Sequence, residues 1–370
     1  MNKQPRKPNA QLSVVQPSNP QARPEGQRLK IGVDVHAAFL MVAWQIDGSN
    51  PKAPQKFTLR EFLGWIDKQR AHFEQIVSCY ESGPTGFWLH RQLTARGVVN
   101  HVVCATRLDS RAKGVNTDKT DARELLSRLD RYVAGNRHAF STVRVPTEAE
   151  EQRRTHTRQR EQLRRHRLSL AAQGRSLMLL HGHRQSNLWW QPARWSGLRD
   201  QLPAWMVAEL EIYRRLIAGF SLELSGLDRQ IRSRAPSALP KGLGRLTHEV
   251  IDGEVAAWDR FKNRRQVGAY AGLTGGVSGS GEQTADLSIT KAGNARLRTA
   301  LIELAWRLVF YQPDYWLVRK WYPVLLHPKT HTRRRKQAIV AFSRQLFVDL
   351  WKWKTGRVTA EQLGWAMRKT

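Results

Sequence analysis

The apolar pattern of this chain changes period along its length, and each change predicts a different kind of element. Leu29–Val35 and Phe39–Ile46 are dense β-branched and aromatic runs joined by a short connection, and Asp47-Gly48 supplies the next turn. A helical pattern follows over Leu59–Glu74, then a buried strand over Gln75–Tyr80. A second helix is predicted over Phe87–Arg96, with Gly97 just past its end, before a strand over Val98–Cys104. Strands alternating with helices predict an α/β domain around a mixed sheet.

Past Thr147 the period becomes helical up to Leu180, with Leu163, Leu168, Leu170, Leu177 and Leu180 as an imperfect apolar stripe. Pro203–Arg234 repeats the pattern, and a Trp- and Gly-containing connection between the two predicts an antiparallel helical hairpin. The third block opens at Pro240-Lys241-Gly242-Leu243-Gly244 before a helix over Arg245–Ile251. That glycine pair fits either a phosphate-approaching turn or an ordinary helix–helix corner. Gly272–Gly281 reads as an exposed Gly/Ser loop, Ala295–Phe310 as a helix, and Arg333–Trp353 as a closing basic amphipathic helix.

Composition adds a class of partner. The 370 residues carry 61 Lys+Arg against 31 Asp+Glu, a formal net charge of +30, which points to a polyanion such as nucleic acid. No apolar stretch of about 18 residues is present, so no membrane partner is expected. Pro5, Pro8, Pro17, Pro20 and Pro24 mark residues 1–28 as a disordered basic tail. Arg153, Arg154, Arg158, Arg160, Arg164, Arg165, Arg167 and Arg175 crowd the first long helix, as a solvated face or as nucleic-acid contacts. The two cysteines, Cys79 and Cys104, lie in apolar runs and are expected in the core; two thiols cannot make a Cys-rich zinc site, and their pattern does not suggest a disulfide framework. A cytoplasmic, nucleoid-associated protein is expected. Trp189, Trp190, Trp195, Trp306, Trp316 and Trp321 are read as packing residues rather than base-stacking platforms.

Against this basic background four acids stand out. Asp34 interrupts the run Ile31–Val35, Glu81 follows the run Ile76–Tyr80, and Asp118 and Asp121 sit three apart on one helical face. Gathered together, four carboxylates repel and raise one another's pKa values unless a divalent cation neutralises them. Oxygen ligands favour Mg²⁺, with Mn²⁺ as the substitute. His36 is read as a neighbour of this group, not a ligand.

Gly32-Val33-Asp34-Val35-His36, Tyr80-Glu81-Ser82-Gly83-Pro84-Thr85-Gly86 and Thr117-Asp118-Lys119-Thr120-Asp121-Ala122 resemble motifs of the DEDD transposases. These are the bridge-RNA-guided recombinases of the IS-one-ten insertion-sequence family, related to Piv-type DNA invertases. Further on, Arg260–Val267, Ala269–Thr274, Ser280-Gly281 and Ile289–Arg298 follow in that family's order, so the resemblance covers about residues 30–355. It implies a RuvC-like (RNase H-fold) catalytic domain over 29–146, a helical coiled-coil region over 147–235 and a mainly α transposase domain over 236–370. It implies that Asp34, Glu81, Asp118 and Asp121 are catalytic and hold Mg²⁺, and that Ser280 is a nucleophile. Family members commonly carry two serines and two glycines where this chain has Gly279-Ser280-Gly281-Glu282, which keeps Ser278 as the competing position. The implied partners are donor and target DNA, a noncoding guide RNA and further copies of the chain, as a dimer or tetramer with composite active sites. The rival readings are a RuvC-like structure-selective endonuclease, a DNA-only invertase and a basic RNA-binding protein without catalysis.

Overall fold

The computed structural model describes residues 27–104, 117–280 and 283–368, with the backbone alone described over 277–280 and 283–287. Most of the expected tail and the segment between Cys104 and Thr117 lie outside the described residues. The chain divides into two units, one ending at Val145 and one beginning at Pro146.

The first unit holds β1 (Arg28–Val35), β2 (Leu40–Ile46), β3 (Gln55–Phe57), α1 (Leu59–Gln69), β4 (Gln75–Glu81), α2 (Trp88–Ala95), β5 (Val99–Val103) and α3 (Asp118–Val133). The sheet order is β3-β2-β1-β4-β5. β1 pairs antiparallel with β2 and parallel with β4, and β4 pairs parallel with β5, so the sheet is mixed. β3, a three-residue edge strand, carries too short a pattern to be foreseen. α1 starts at a capping box between Thr58 and Glu61 and stops at Gln69, five residues short of its expected end, because the chain must reverse into β4.

Alternation along the strands sorts their side chains between two layers. Leu29, Ile31, Val33, Leu40, Val42 and Trp44 join Phe62, Trp65 and Ile66 of α1 and Leu89 and Leu93 of α2 in one core. The opposite face is closed by α3: Met41 and Ala43 meet Ala122 and Leu126, while Val77 and Cys79 meet Leu125 and Leu129. Gly32 and Asp34 belong to this second face, between those contacts. Cys79 is buried as expected, but Cys104 is exposed, because β5 is an edge strand that ends one residue earlier.

The second unit contains α4 (Glu148–Leu180), α5 (Pro192–Arg199), α6 (Ala204–Arg234), α7 (Arg245–Val255), α8 (Arg264–Tyr270), β6 (Gly275–Ser280), β7 (Gln283–Ile289), α9 (Ala295–Tyr311), α10 (Trp316–Leu325), α11 (Thr332–Lys354) and α12 (Ala360–Leu363). α4 and α6 run antiparallel, with Arg160 bonded to Asp228 and Arg167 to Ser221. Near the end of this hairpin Trp189 lies directly over Gly174 and donates its indole N–H to the Ala171 carbonyl at 2.8 Å. Trp189 and Trp195 are core residues, whereas Trp316 is 41% exposed.

One expectation in this unit changes, and one open alternative is decided. The Gly/Ser segment is not a loop throughout: Gly275–Ser280 pairs antiparallel with β7. Its glycine content hides a strand whose order comes from the partner's hydrogen bonds rather than from its own side chains. The Pro240–Gly244 turn is the helix–helix corner. Lys241 N–H donates to the Ala366 carbonyl at 2.8 Å and Leu243 N–H to the Pro240 carbonyl at 3.0 Å. Gly242, at φ 86°, is packed against Leu308 and Tyr311.

Candidate metal centre

α3 runs back along β1, and the contacts between them decide where the acids end up. Lys30 pairs with Asp130 near the far end of the helix, and Gly32 lies against Ala122 and Leu126. The first turn of α3 therefore reaches the end of β1, where Asp34 sits. Asp34 and Glu81 leave the same end of two adjacent parallel strands, since Val33 is in register with Tyr80. The ends of parallel strands where the chain diverges are where open α/β sheets gather functional groups.

Thr117 caps α3, its hydroxyl accepting from Thr120 N–H at 3.3 Å. Asp118 and Asp121 occupy the first turn, where the positive end of the helix dipole favours carboxylates. One oxygen each from Asp34 and Asp118 and a ring nitrogen of His36 lie within 4.8 Å of one another. His36 Nε2 is 2.9 Å from Asp34 Oδ2 and 3.6 Å from Asp118 Oδ1. The imidazole is held by stacking on Phe39 at 4.5 Å between ring centroids, and Lys56 covers the Phe39 ring.

Glu81 and Asp121 belong to the same electrostatic neighbourhood. Burial pushes the Glu81 pKa up, and the negative charges of Asp121 and Asp34 push it further, against the opposing Arg128 guanidinium. Burial likewise raises Asp121, reinforced by Asp34 and Asp118 and opposed by His36. Self-repulsion of this kind is the signature of a group of acids short of positive charge. A donor set dominated by carboxylate oxygen suits a hard divalent cation. Among the described residues, Asp34 and Asp118 meet at ligating distance with His36, and Glu81 and Asp121 lie within electrostatic reach at the same end of the first unit. The backbones of Ser280 and Ser278 lie in β6 of the second unit, and their side chains lie outside the described residues.

His36 is the residue that sequence reasoning set aside and the geometry includes. Its signal was the two-residue spacing from Asp34, which only the sharp turn back at Phe39, His36 N–H to Phe39 O at 3.0 Å, converts into proximity.

The arginines of α4 divide differently from what their density suggests. Arg153 makes two bonds to Glu249, at 2.9 and 2.7 Å, and a third to Asp252 at 3.0 Å. Arg158 clasps Glu254 through two bonds, at 2.9 and 2.8 Å. Arg296 and Asn294 also bond Glu254, and Lys354 pairs with Asp252. Arg153 and Arg158 thus fasten α4 to α7.

The segment that carries Thr290–Asn294 is a joint. A Cβ on Gly293 would stand 2.4 Å from Gly272 N, so these two backbones touch. Asn294 N–H donates to the Tyr270 carbonyl at 2.9 Å, and its side chain caps α9.

Residues 240–318 match the family described as "Transposase IS116/IS110/IS902 family". The chain is 30% identical to "Putative transposase y4rJ" of Sinorhizobium fredii, across 92% of this chain and 97% of that protein. It is 34% identical to "Putative transposase y4qE" of the same organism, over 65% of this chain and 60% of that one. Similarity to "Transposase for insertion sequence element IS1533" of Leptospira borgpetersenii is 29% over 37% of this chain and 40% of that protein. No helix among the described residues is long and apolar enough to cross a membrane. With an α/β first unit, an acidic cluster able to hold a metal and near full-length similarity to one such protein, the chain belongs to the IS116/IS110/IS902 family of transposases, enzymes that act on DNA.

Proposed function

We propose that this transposase cuts and rejoins DNA at insertion-sequence ends and at a target, using a metal-dependent carboxylate site and a serine nucleophile. One observation carries the reading. In a chain of net charge +30, Asp34, Glu81, Asp118 and Asp121 lie near one another where two parallel strands end and one helix begins, and burial, reinforced by the neighbouring acids, raises the pKa values of Glu81 and Asp121. Asp34, Glu81, Asp118 and Asp121 would hold Mg²⁺, or Mn²⁺ in its place, in a RuvC-like (RNase H-fold) domain over 29–146. When bound, the metal polarises the scissile phosphate and stabilises the leaving oxygen.

The protein's own groups set the geometry of that site. β1 and β4 fix Asp34 and Glu81 on adjacent strands, the first turn of α3 carries Asp118 and Asp121, and His36 orients the Asp34 carboxylate. Ser280, in the domain over 236–370, is the proposed nucleophile. Its oxygen would bond phosphorus as the bond from phosphorus to the DNA oxygen breaks, and the serine proton would end on that departing oxygen as a hydroxyl, so the phosphodiester energy is kept for rejoining. The helical region over 147–235 and assembly into dimers or tetramers would complete composite sites. A noncoding RNA of the element would pair with donor and target DNA, leaving the protein to recognise backbone and shape. Such a protein works at the nucleoid.

The test is strand exchange on a mini-element with the protein, Mg²⁺ and the element's RNA, scored alongside a covalent protein–DNA adduct. Asp118→Asn and Ser280→Ala should each abolish exchange, and Ser280→Ala should abolish the adduct. Exchange that survives Ser280→Ala overturns the assigned nucleophile, and exchange without RNA overturns guidance.

A further inference from the structure

Among the described residues, two groups of cations differ in whether a carboxylate already compensates them. Those of α4 are largely engaged internally: Arg153 and Arg158 as above, Arg160 with Asp228, and Arg164 and Arg165 about the Glu161 carboxylate. The connection from α10 to α11 is different. From Tyr315 to Val348 the chain contains no Asp or Glu but eight Lys and Arg: Arg319, Lys320, Lys329, Arg333, Arg334, Arg335, Lys336 and Arg344. Arg319 pairs with Asp314 at 2.7 Å, but none of the other seven makes an ion pair among the described residues. Lys329, Arg333, Arg334 and Lys336 are all exposed.

These cations stand on a framework that does not yield. Ile339, Phe342 and Leu346 of α11 are buried in the largest core of the second unit. The turn is folded on itself, with Thr330 N–H donating to the His327 carbonyl at 3.1 Å and Arg335 Nη2 to the same carbonyl at 2.9 Å. His331 caps α11, its ring nitrogen 3.2 Å from Arg333 N. Four unpaired cations are thereby presented at a helix N-terminus, whose dipole adds positive potential. Uncompensated like charge costs stability, so its concentration on a pinned turn calls for a partner that supplies the negative charge.

We propose that the α10–α11 turn is a docking surface for the sugar–phosphate backbone of duplex DNA, with Lys329, Arg333, Arg334 and Lys336 as the phosphate contacts. Its role is to hold DNA independently of sequence, since phosphate contacts position a protein without reading bases. The inference rests on the family's DNA substrate and not on the carboxylate or serine assignments. The turn lies beyond the residues 240–318 that match the family.

The test measures binding of a fluorescent 30-base-pair duplex by the full-length protein across a salt series. Arg333→Ala, Arg334→Ala and Lys336→Ala in one chain should weaken binding to element-end and unrelated duplexes alike. The slope of log K against log salt should shrink by about 2 to 3, close to one per lost phosphate contact. Arg175→Ala, Arg184→Ala and Arg199→Ala together remove the same charge from the α4–α6 hairpin and its connection, and should leave most of that slope in place. The double variant Lys329→Ala and Lys336→Ala, read the same way, is a second and milder probe. Equal losses in the turn and hairpin variants would reduce the effect to net charge and overturn the proposal. So would a loss confined to an RNA of the same length.

Discussion

Gly32 of β1 has no room for a side chain, because the Ala122 carbonyl of α3 stands 2.5 Å from where a Cβ would be. Leu126 N is equally close. This direct strand–helix contact sets the height at which α3 crosses the sheet, and so places Asp118 and Asp121 beside Asp34. Gly32→Ala should force the layers apart, at a cost of roughly 1–3 kcal/mol as for overpacking in general. Thermal denaturation measures that loss, and DNA strand exchange should fall further than stability does. A variant with unchanged melting temperature and full activity would show that the spacing does not matter.

Divalent metal should stabilise the protein through the acid cluster. A ligand that binds only the folded form at 100 times its Kd adds about 2.7 kcal/mol. Scanning fluorimetry with Mg²⁺ or Mn²⁺ should show a rise in melting temperature that EDTA reverses and Asp118→Asn removes. His36→Ala should reduce the rise without abolishing it, since the imidazole holds Asp34 through a 2.9 Å contact. Equal shifts in the wild type and Asp118→Asn would place the metal elsewhere.

The clamp between α4 and α7 should fail in acid. Burial alone would raise Glu249 and Glu254, but hydrogen bonds from His248 and Arg153 to the one, and from Arg158 and Asn294 to the other, hold both below the ordinary 4.5. A depressed folded pKa contributes stability that is complete above the unfolded value and is lost as pH falls through the folded one. The protection of α7 amides, taken relative to their intrinsic exchange rate at each pH, should therefore fall as the pH drops below about 4.5. Arg158→Ala leaves Glu254, whose side chain is 0% exposed, with Arg296 and Asn294. The expected loss is about 1.5 kcal/mol, the low end of the range for a hydrogen bond to a charged group, because Arg158 is half-exposed and Glu254 keeps two partners. Unchanged α7 protection in acid would mean that these pairs are not what docks the helix.

The two thiols should separate cleanly. Cys79 is buried, its Sγ 3.3 Å from the Leu125 carbonyl, and burial pushes its pKa far up. Cys104 is exposed. A disulfide reagent at neutral pH should modify one thiol per chain in the native protein and the second only on unfolding. Rapid modification of both would mean that α3 opens readily from the sheet.

Much of the fold was legible because its signals are local. Dense β-branched and aromatic runs marked β1, β2, β4 and β5, and the structure adds that Thr147 and Thr58 each stand three residues before a glutamate that closes a capping box. Where the signal depends on a partner, the sequence was mute. The three residues of β3 and the glycine-rich β6 become strands only through β2 and β7. Cys104, in an apolar run, looked like a core residue, but β5 stops at the edge of the sheet just before it.

The sequence by itself determined the kinds of residue available: a basic chain, four acids at the ends of predicted elements, and runs whose period dictates strand or helix. Those properties follow from chemistry and spacing along the backbone. Only the tertiary structure decided which charges meet. Glu249 and Glu254 claim Arg153 and Arg158 across about a hundred positions of chain, and His36 joins Asp34 because a turn folds it back. Charge acts through space, and distance in space is what a linear order of residues does not contain.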